Sequence, residues 1–208
     1  MNENLEIKKD NTNKGLLFSI VGVLTLVVAI AGATYAFFSA TANNAGTIEG
    51  TAATADLALD VVQEAGGTGK LIPQLGTAIN SAAAANCTDT NTNTVCQIYS
   101  LKVTNSSTAT VSLSGTILFS GITNMANLKF STSATETSGY STTGTAAATT
   151  ATTMPNSTFS LAPNGTKTIY LIVWIEETGS AQSDSGTFNA TVTFNSSDGK
   201  GITSTITS

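Results

Sequence analysis

Histidine and arginine are absent from the 208 residues, and charged side chains make up only 10% of them. Without histidine the chain lacks the commonest general base, the commonest transition-metal ligand and the ordinary pH switch. Without arginine it has no bidentate clamp for phosphate or carboxylate, and all eight cations are lysines. The formal net charge of −5 argues against a nucleic-acid surface. Tryptophan occurs once, cysteine twice and proline three times. In place of charge the chain uses Ser, Thr, Ala, Asn and Gly, with an ordinary hydrophobic content of 41%. That balance excludes a charge-driven disordered tail. It points to a structural or binding protein, with no enzymatic activity and no cofactor or metal expected.

The N-terminus is what the composition does not dilute. Lys8, Lys9 and Lys14 precede Gly15–Phe38, a run without a charge, and the next charged residue is Glu49. Such a run is long enough to span a bilayer as a helix. It also contains a secretory pattern, an apolar stretch closed by small residues. The lysines keep the start of the chain cytoplasmic, so the remainder is exported in either case. Thr34-Tyr35-Ala36 places small residues at the third and first positions before a cut between Ala36 and Phe37. Cleavage gives a secreted, extracellular or cell-surface protein. Retention gives a domain on a transmembrane anchor, with the membrane touched through this segment alone. The expected organisation is therefore a leader or anchor at 1–36, a flexible arm at 37–55 and a folded domain at 56–208.

Period-2 alternation recurs along that domain, as half-buried strands require. It covers Leu57–Val61, Tyr99–Thr104, Val111–Phe119, Leu128–Phe130, Phe159–Leu161, Phe188–Phe194 and Ile202–Thr207. Thr168–Ile175 is apolar at nearly every position, as a central strand covered on both faces would be. Turn signals separate these runs at Asn105–Ser107, Pro163-Asn164-Gly165 and Asp198-Gly199, and Gly115 suggests a bulge. No amphipathic helix is evident beyond residue 40. The pattern predicts an all-β, jelly-roll-like antiparallel β-sandwich. Ser131–Thr158 has too little apolar bulk to predict anything but a Thr/Ala-rich surface loop.

Gly32-Ala33-Thr34-Tyr35-Ala36-Phe37-Phe38-Ser39, Asn44 and the strand Asp56–Val61 resemble the export signal and first strand of the TasA/camelysin family. These are secreted biofilm-matrix proteins released by a dedicated SipW-type signal peptidase, and the resemblance covers roughly residues 15–63. It departs at Ala40, where the family often has an acid, and in an additional Thr51–Ala55 before the strand. The resemblance implies a jelly-roll fold and self-association into fibres by strand donation. The donor would be the freed arm with Phe37, Phe38 and Ile48, adding to the sheet edge of a neighbour. Signal peptidase would be a partner during export. The alternatives are an anchored surface domain for binding or adhesion, and a type IV pilin-like subunit. Pilins usually carry a Glu soon after a Lys-Gly junction like Lys14-Gly15, and none occurs here before Glu49.

Other motifs favour structure over chemistry. Cys87 and Cys96 bracket CTDTNTNTVC and, in an exported chain, predict a disulfide that staples a hairpin or loop. Asp89, Asn91 and Asn93 imitate the start of a calcium loop, but Thr94 and Ser100 stand where Gly and Glu are needed. Glu64–Leu71 imitates a P-loop but begins with Glu64 and ends with Leu71, and it reads as a flexible linker. Glu176-Glu177 would point to opposite faces of a strand, so they cannot serve one substrate as acid and base. Trp174 beside them is expected in the core. The camelysin branch has been described as metallopeptidase, yet this chain has no HExxH.

Overall fold

The computed structural model describes residues 19–25, 56–67, 70–179 and 186–207. The chain divides into two units, Met1–Ala52 and Ala53–Ser208. In the first, residues 19–25 are helical and Ile20, Val21, Val23 and Leu24 are exposed. Among the described residues no helix is long and apolar enough to cross a membrane.

The second unit is an antiparallel β-sandwich, as the alternation predicts. Its strands are β1 (Leu57–Ala65), β2 (Gln97–Asn105), β3 (Val111–Thr123), β4 (Leu128–Ser133), β5 (Thr145–Ala146), β6 (Thr152–Leu161), β7 (Thr166–Ile175), β8 (Thr187–Ser196) and β9 (Gly201–Thr207). One sheet has the order β1-β2-β7-β4-β5 and the other β6-β3-β8-β9, with every named pair antiparallel. The core between them is built from the inward member of each alternating pair. It includes Leu101 and Val103 of β2, Ile117 and Phe119 of β3, Phe130 of β4, and Phe188, Val192 and Phe194 of β8. Phe119 packs against Phe130 and Phe188 at ring separations of 5.5 and 5.8 Å.

The five-stranded sheet is covered on its second face as well, and this explains β7. Ile169, Leu171, Val173 and Ile175 enter the inter-sheet core, whereas Ile172 and Trp174 enter a second cluster with Ile79, Ala82, Cys87, Cys96 and Tyr140. The outer face of the four-stranded sheet carries hydroxyls instead. Thr193 pairs with Thr203 at 3.1 Å and Ser112 with Ser160 at 3.0 Å, both exposed. Threonine suits that face because its branched carbon favours extended backbone while its oxygen stays wet.

Three expectations are corrected. Ser131–Thr158 is not a surface loop: it supplies part of β4, all of β5 and most of β6, and Ser131, Thr132, Tyr140, Met154 and Ser157 are buried. Small hydroxyl side chains bury cheaply here because backbone groups satisfy them, as when Ser157 Oγ donates to the carbonyls of Gly115 and Met154 at 2.9 and 2.7 Å. A helix does occur after residue 40. Ile79–Ala84 is a six-residue helix that buries Ile79, Ala82 and Ala83, an i, i+3, i+4 face too short and too small to register as amphipathic. Glu64–Leu71 is not simply a linker, since Glu64 and Ala65 end β1 and Leu71 is buried in the inter-sheet core.

Gly115 does mark a bulge. Ser114 faces Thr158 but Thr116 faces Thr153, so Met154–Ser157 of β6 loop out opposite this one glycine. A Cβ on Gly115 would lie 2.7 Å from both Met154 and Phe194, so only glycine fits. The turns after β6 and β8 form at Asn164, with φ of 57°, and at Gly199, with φ of 84°.

Candidate functional site

A sandwich ends in four edge strands, and each leaves backbone donors and acceptors open to pairing. Here the four differ. β5 is two residues long. β6 is interrupted by Pro155 and by Asn156, whose φ is 55°. The looped-out residues of β6 also reach across to β4, where Thr132 Oγ1 donates to the Pro155 carbonyl. β1 and β9 lie together on the opposite side, and neither contains proline. Among the described residues no strand pairs with the outer edge of either.

The two open edges are chemically distinct. β1 turns Leu57, Leu59 and Val61 toward the core but leaves them only half-buried, and Val62 is 46% exposed on the other face. An incoming strand beside β1 would extend the shielding of this apolar row. Asp60 stands opposite Lys102 on β2, which matches one of the two acids of β1; the other, Glu64, is exposed at an irregularity near the strand end. β9 reads Gly-Ile-Thr-Ser-Thr-Ile-Thr and carries no charge at all. Both edges leave backbone donors and acceptors open to pairing among the described residues.

The other candidates are fixed structurally. Cys87 and Cys96 are joined, with their Cα atoms 4.8 Å apart, and both are fully buried. The Val95 N–H donates to the Cys87 carbonyl at 2.9 Å and the Asp89 N–H to the Asn93 carbonyl at 3.0 Å, which makes the expected stapled loop. The Asp89 carboxylate accepts from the backbone of Asn91 and Asn93, each at 2.8 Å, and from Asn93 Nδ2 at 3.0 Å. The Asn93 side chain leads these bonds in holding the carboxyl below its ordinary value. The oxygens that would meet calcium are turned onto the loop itself. Among the described residues no three Asp, Glu, Cys or His side chains gather as a metal-binding group.

Trp174 is fully buried, as expected, and its Nε1 donates to Glu176 Oε2 at 2.9 Å. Glu176 Oε1 accepts from the Gly76 N–H at 3.2 Å, and Lys129 Nζ lies 3.6 Å from Oε2. Lys129 in turn donates to the Thr143 carbonyl at 2.9 Å. Glu177 faces elsewhere and accepts from the Gly179 N–H at 2.6 Å. Glu176 therefore ties β7, β4, the 74–76 segment and the 142–144 segment together. Burial pushes its carboxyl up, but the bonds from Trp174 and Gly76 and the charge of Lys129 outweigh burial, so it sits below the ordinary 4.5. A depressed carboxyl stabilises the fold fully above the unfolded value and loses that contribution as pH falls through the folded one. Glu176→Gln is expected to lower stability at pH 7 and to flatten the acid limb below about pH 4.5, as urea midpoints across a pH series would show. Equal acid sensitivity in the variant and the parent would contradict this role.

Sequence reasoning proposed the disulfide, and the structure brings its two halves together. The proposed cleavage point Ala36–Phe37 and the arm residues Phe37, Phe38 and Ile48 lie outside the described residues. The contrast between open and closed edges was not read from the sequence, although Pro155 on β6 was the available signal.

No family model matches the chain, and no curated protein matches it. Solved structures similar to it include a FixG-related protein from Vibrio parahaemolyticus, at 9% identity, covering 73% of this chain and 93% of that one with a TM-score of 0.35. The cupredoxin domain of amoB from Nitrosocaldus yellowstonii is 13% identical, covers 71% and 84%, and has a TM-score of 0.36. The CooA pilin subunit from enterotoxigenic Escherichia coli is 11% identical, covers 72% and 94%, and has a TM-score of 0.35. At these values the likenesses assign no function.

Proposed function

We propose that this protein is an exported structural subunit that assembles with copies of itself outside the cell, its arm at 37–51 adding as a strand to the β1 edge of a neighbour. The observation that supports this reading is the asymmetry of the sandwich. One side ends in the two-residue β5 and in β6 interrupted at Pro155, and the other offers β1 with Leu57, Leu59 and Val61 half-covered. An arm carrying Phe37, Phe38 and Ile48 supplies apolar side chains for that row, while its backbone satisfies the edge. A head-to-tail contact of this kind does not close on itself, so it propagates as a filament. The leader supports export, and the resemblance at residues 15–63 supports a matrix role.

Deletion of residues 37–51 is the test. The exported protein is expected to form fibres in negative-stain micrographs, and the deletion variant to remain as single particles with an unchanged far-UV circular dichroism spectrum. Fibres from both proteins would remove the arm from the mechanism. Intact mass spectrometry of the exported product completes the test: a chain beginning at Phe37 fits the free subunit, and a retained leader fits an anchored surface domain.

A further inference from the structure

The β9 edge has a property that strand donation neither uses nor requires. Ile202-Thr203-Ser204-Thr205-Ile206 reads the same in both directions. In an antiparallel pair with the same strand of a second copy, centred on Ser204, each Ile202 faces an Ile206. Each Thr203 then faces a Thr205, and Ser204 faces itself. The faces also agree. Ile202, Ser204 and Ile206 are the more buried members of β9, and Thr203 and Thr205 are exposed. Apolar residues would therefore meet apolar residues on the core side, and threonines would meet threonines on the outer side. Such a contact uses the same patch on both partners, which is what a two-fold dimer demands.

We propose that β9 is a self-recognition edge, through which two copies of this chain join their four-stranded sheets into one continuous sheet about a two-fold axis at Ser204. Three observations converge on a second copy as the occupant. The sequence of the edge is self-complementary in this register. Gly201–Thr207 contains no charge, so no like charges oppose one another when the strand meets itself. Thr193–Thr203 is already an exposed cross-strand threonine pair, and the new contact would continue that ladder outward. A seven-residue strand offers about 23 Å of pairing, which suits reversible lateral association more than an obligate dimer. The inference stands whether or not the arm donates to β1.

The register makes the test specific. Thr203→Lys with Thr205→Lys places like charges opposite one another twice across the two-fold. Thr203→Lys with Thr205→Glu places opposite charges there at the same positions. Both sites are exposed, so neither variant disturbs the core. In native mass spectrometry and sedimentation of the full chain in a non-ionic detergent, the parent is expected to show dimers. The double-lysine variant should raise the dimer dissociation constant about tenfold or more, and the lysine–glutamate variant should return it to within about threefold of the parent. Deleting residues 37–51 should leave these dimers intact even where it abolishes fibres. A parent that stays monomeric at about 100 µM, a double-lysine variant that dimerises as well as the parent, or dimers lost with the arm would each overturn the proposal.

Discussion

Replacing Asn105 by alanine is expected to destabilise the domain by about 3–5 kcal/mol, more than most single polar substitutions do. Asn105 ends β2 and is fully buried. Its Nδ2 donates to the carbonyls of Ala109, Leu161 and Ala162 at 2.9, 3.1 and 3.1 Å. Its Oδ1 accepts from the N–H and the hydroxyl of Ser107 at 3.1 and 2.6 Å. One side chain thus joins the β2–β3 connection to the β6–β7 turn, both of which cross between the two sheets. The Ala109 and Ala162 carbonyls keep partners in the Ser107 hydroxyl and the Gly165 N–H, so the loss falls on the buried bonds of the Leu161 carbonyl and the Ser107 N–H, each costing about 1–3 kcal/mol when left unmade. Asn105→Asp separates the lost bonds from the lost volume. It keeps the shape but turns acceptor oxygens toward three carbonyls, so it should be at least as damaging as alanine at pH 7. Urea unfolding would measure both, with an unchanged slope if the two-state transition is kept. A cost below about 1 kcal/mol for the alanine variant would mean that the two turns hold without this side chain.

Asn105 also shows what could be read in the sequence and what could not. Asn-Ser-Ser followed by alternating residues reads as a turn, and the chain does turn there. That the asparagine is buried as a bridge between distant turns depends on Leu161 and Ala162, more than fifty residues away. The strands were legible because alternation is local and the pleat imposes it. β7 was legible even as a two-faced strand, since an unbroken apolar run demands cover on both sides. The identity of that cover was not legible. It comes from the short helix, the disulfide loop and Tyr140, none with a strong period of its own. The open edges followed the same rule. Proline in β6 was visible, but the neighbour of each edge is set by sheet order, and sheet order is a long-range property. The disulfide could be proposed because its two cysteines leave one pairing.

The segment Ser141–Thr153 is the sharpest case, and Gly144→Ala tests it. A stretch of Ser, Thr, Gly and Ala promises mobility, and a glycine in a mobile loop tolerates alanine at little cost. Gly144 instead has φ of 57°, and a Cβ there would lie 2.3 Å from Trp174 Cη2, 2.7 Å from Cζ2 and 3.3 Å from Lys129 Cβ. The ring cannot swing aside freely, because Trp174 is fully buried and its Nε1 is held by Glu176. The alanine variant should therefore lose about 2–4 kcal/mol, from backbone strain and overpacking together. Gly179 supplies the control. Its φ is 73°, yet a Cβ there meets nothing within 4 Å, so Gly179→Ala should show the strain alone, about 1 kcal/mol. Combining Gly144→Ala with Trp174→Phe removes the indole atoms that the new methyl would strike. The double variant should then be less damaged than the sum of the singles by about 1 kcal/mol or more, since residues in contact couple. If Gly144→Ala costs no more than Gly179→Ala, the segment yields as its composition suggests, and the indole is not sealed by the chain that crosses it.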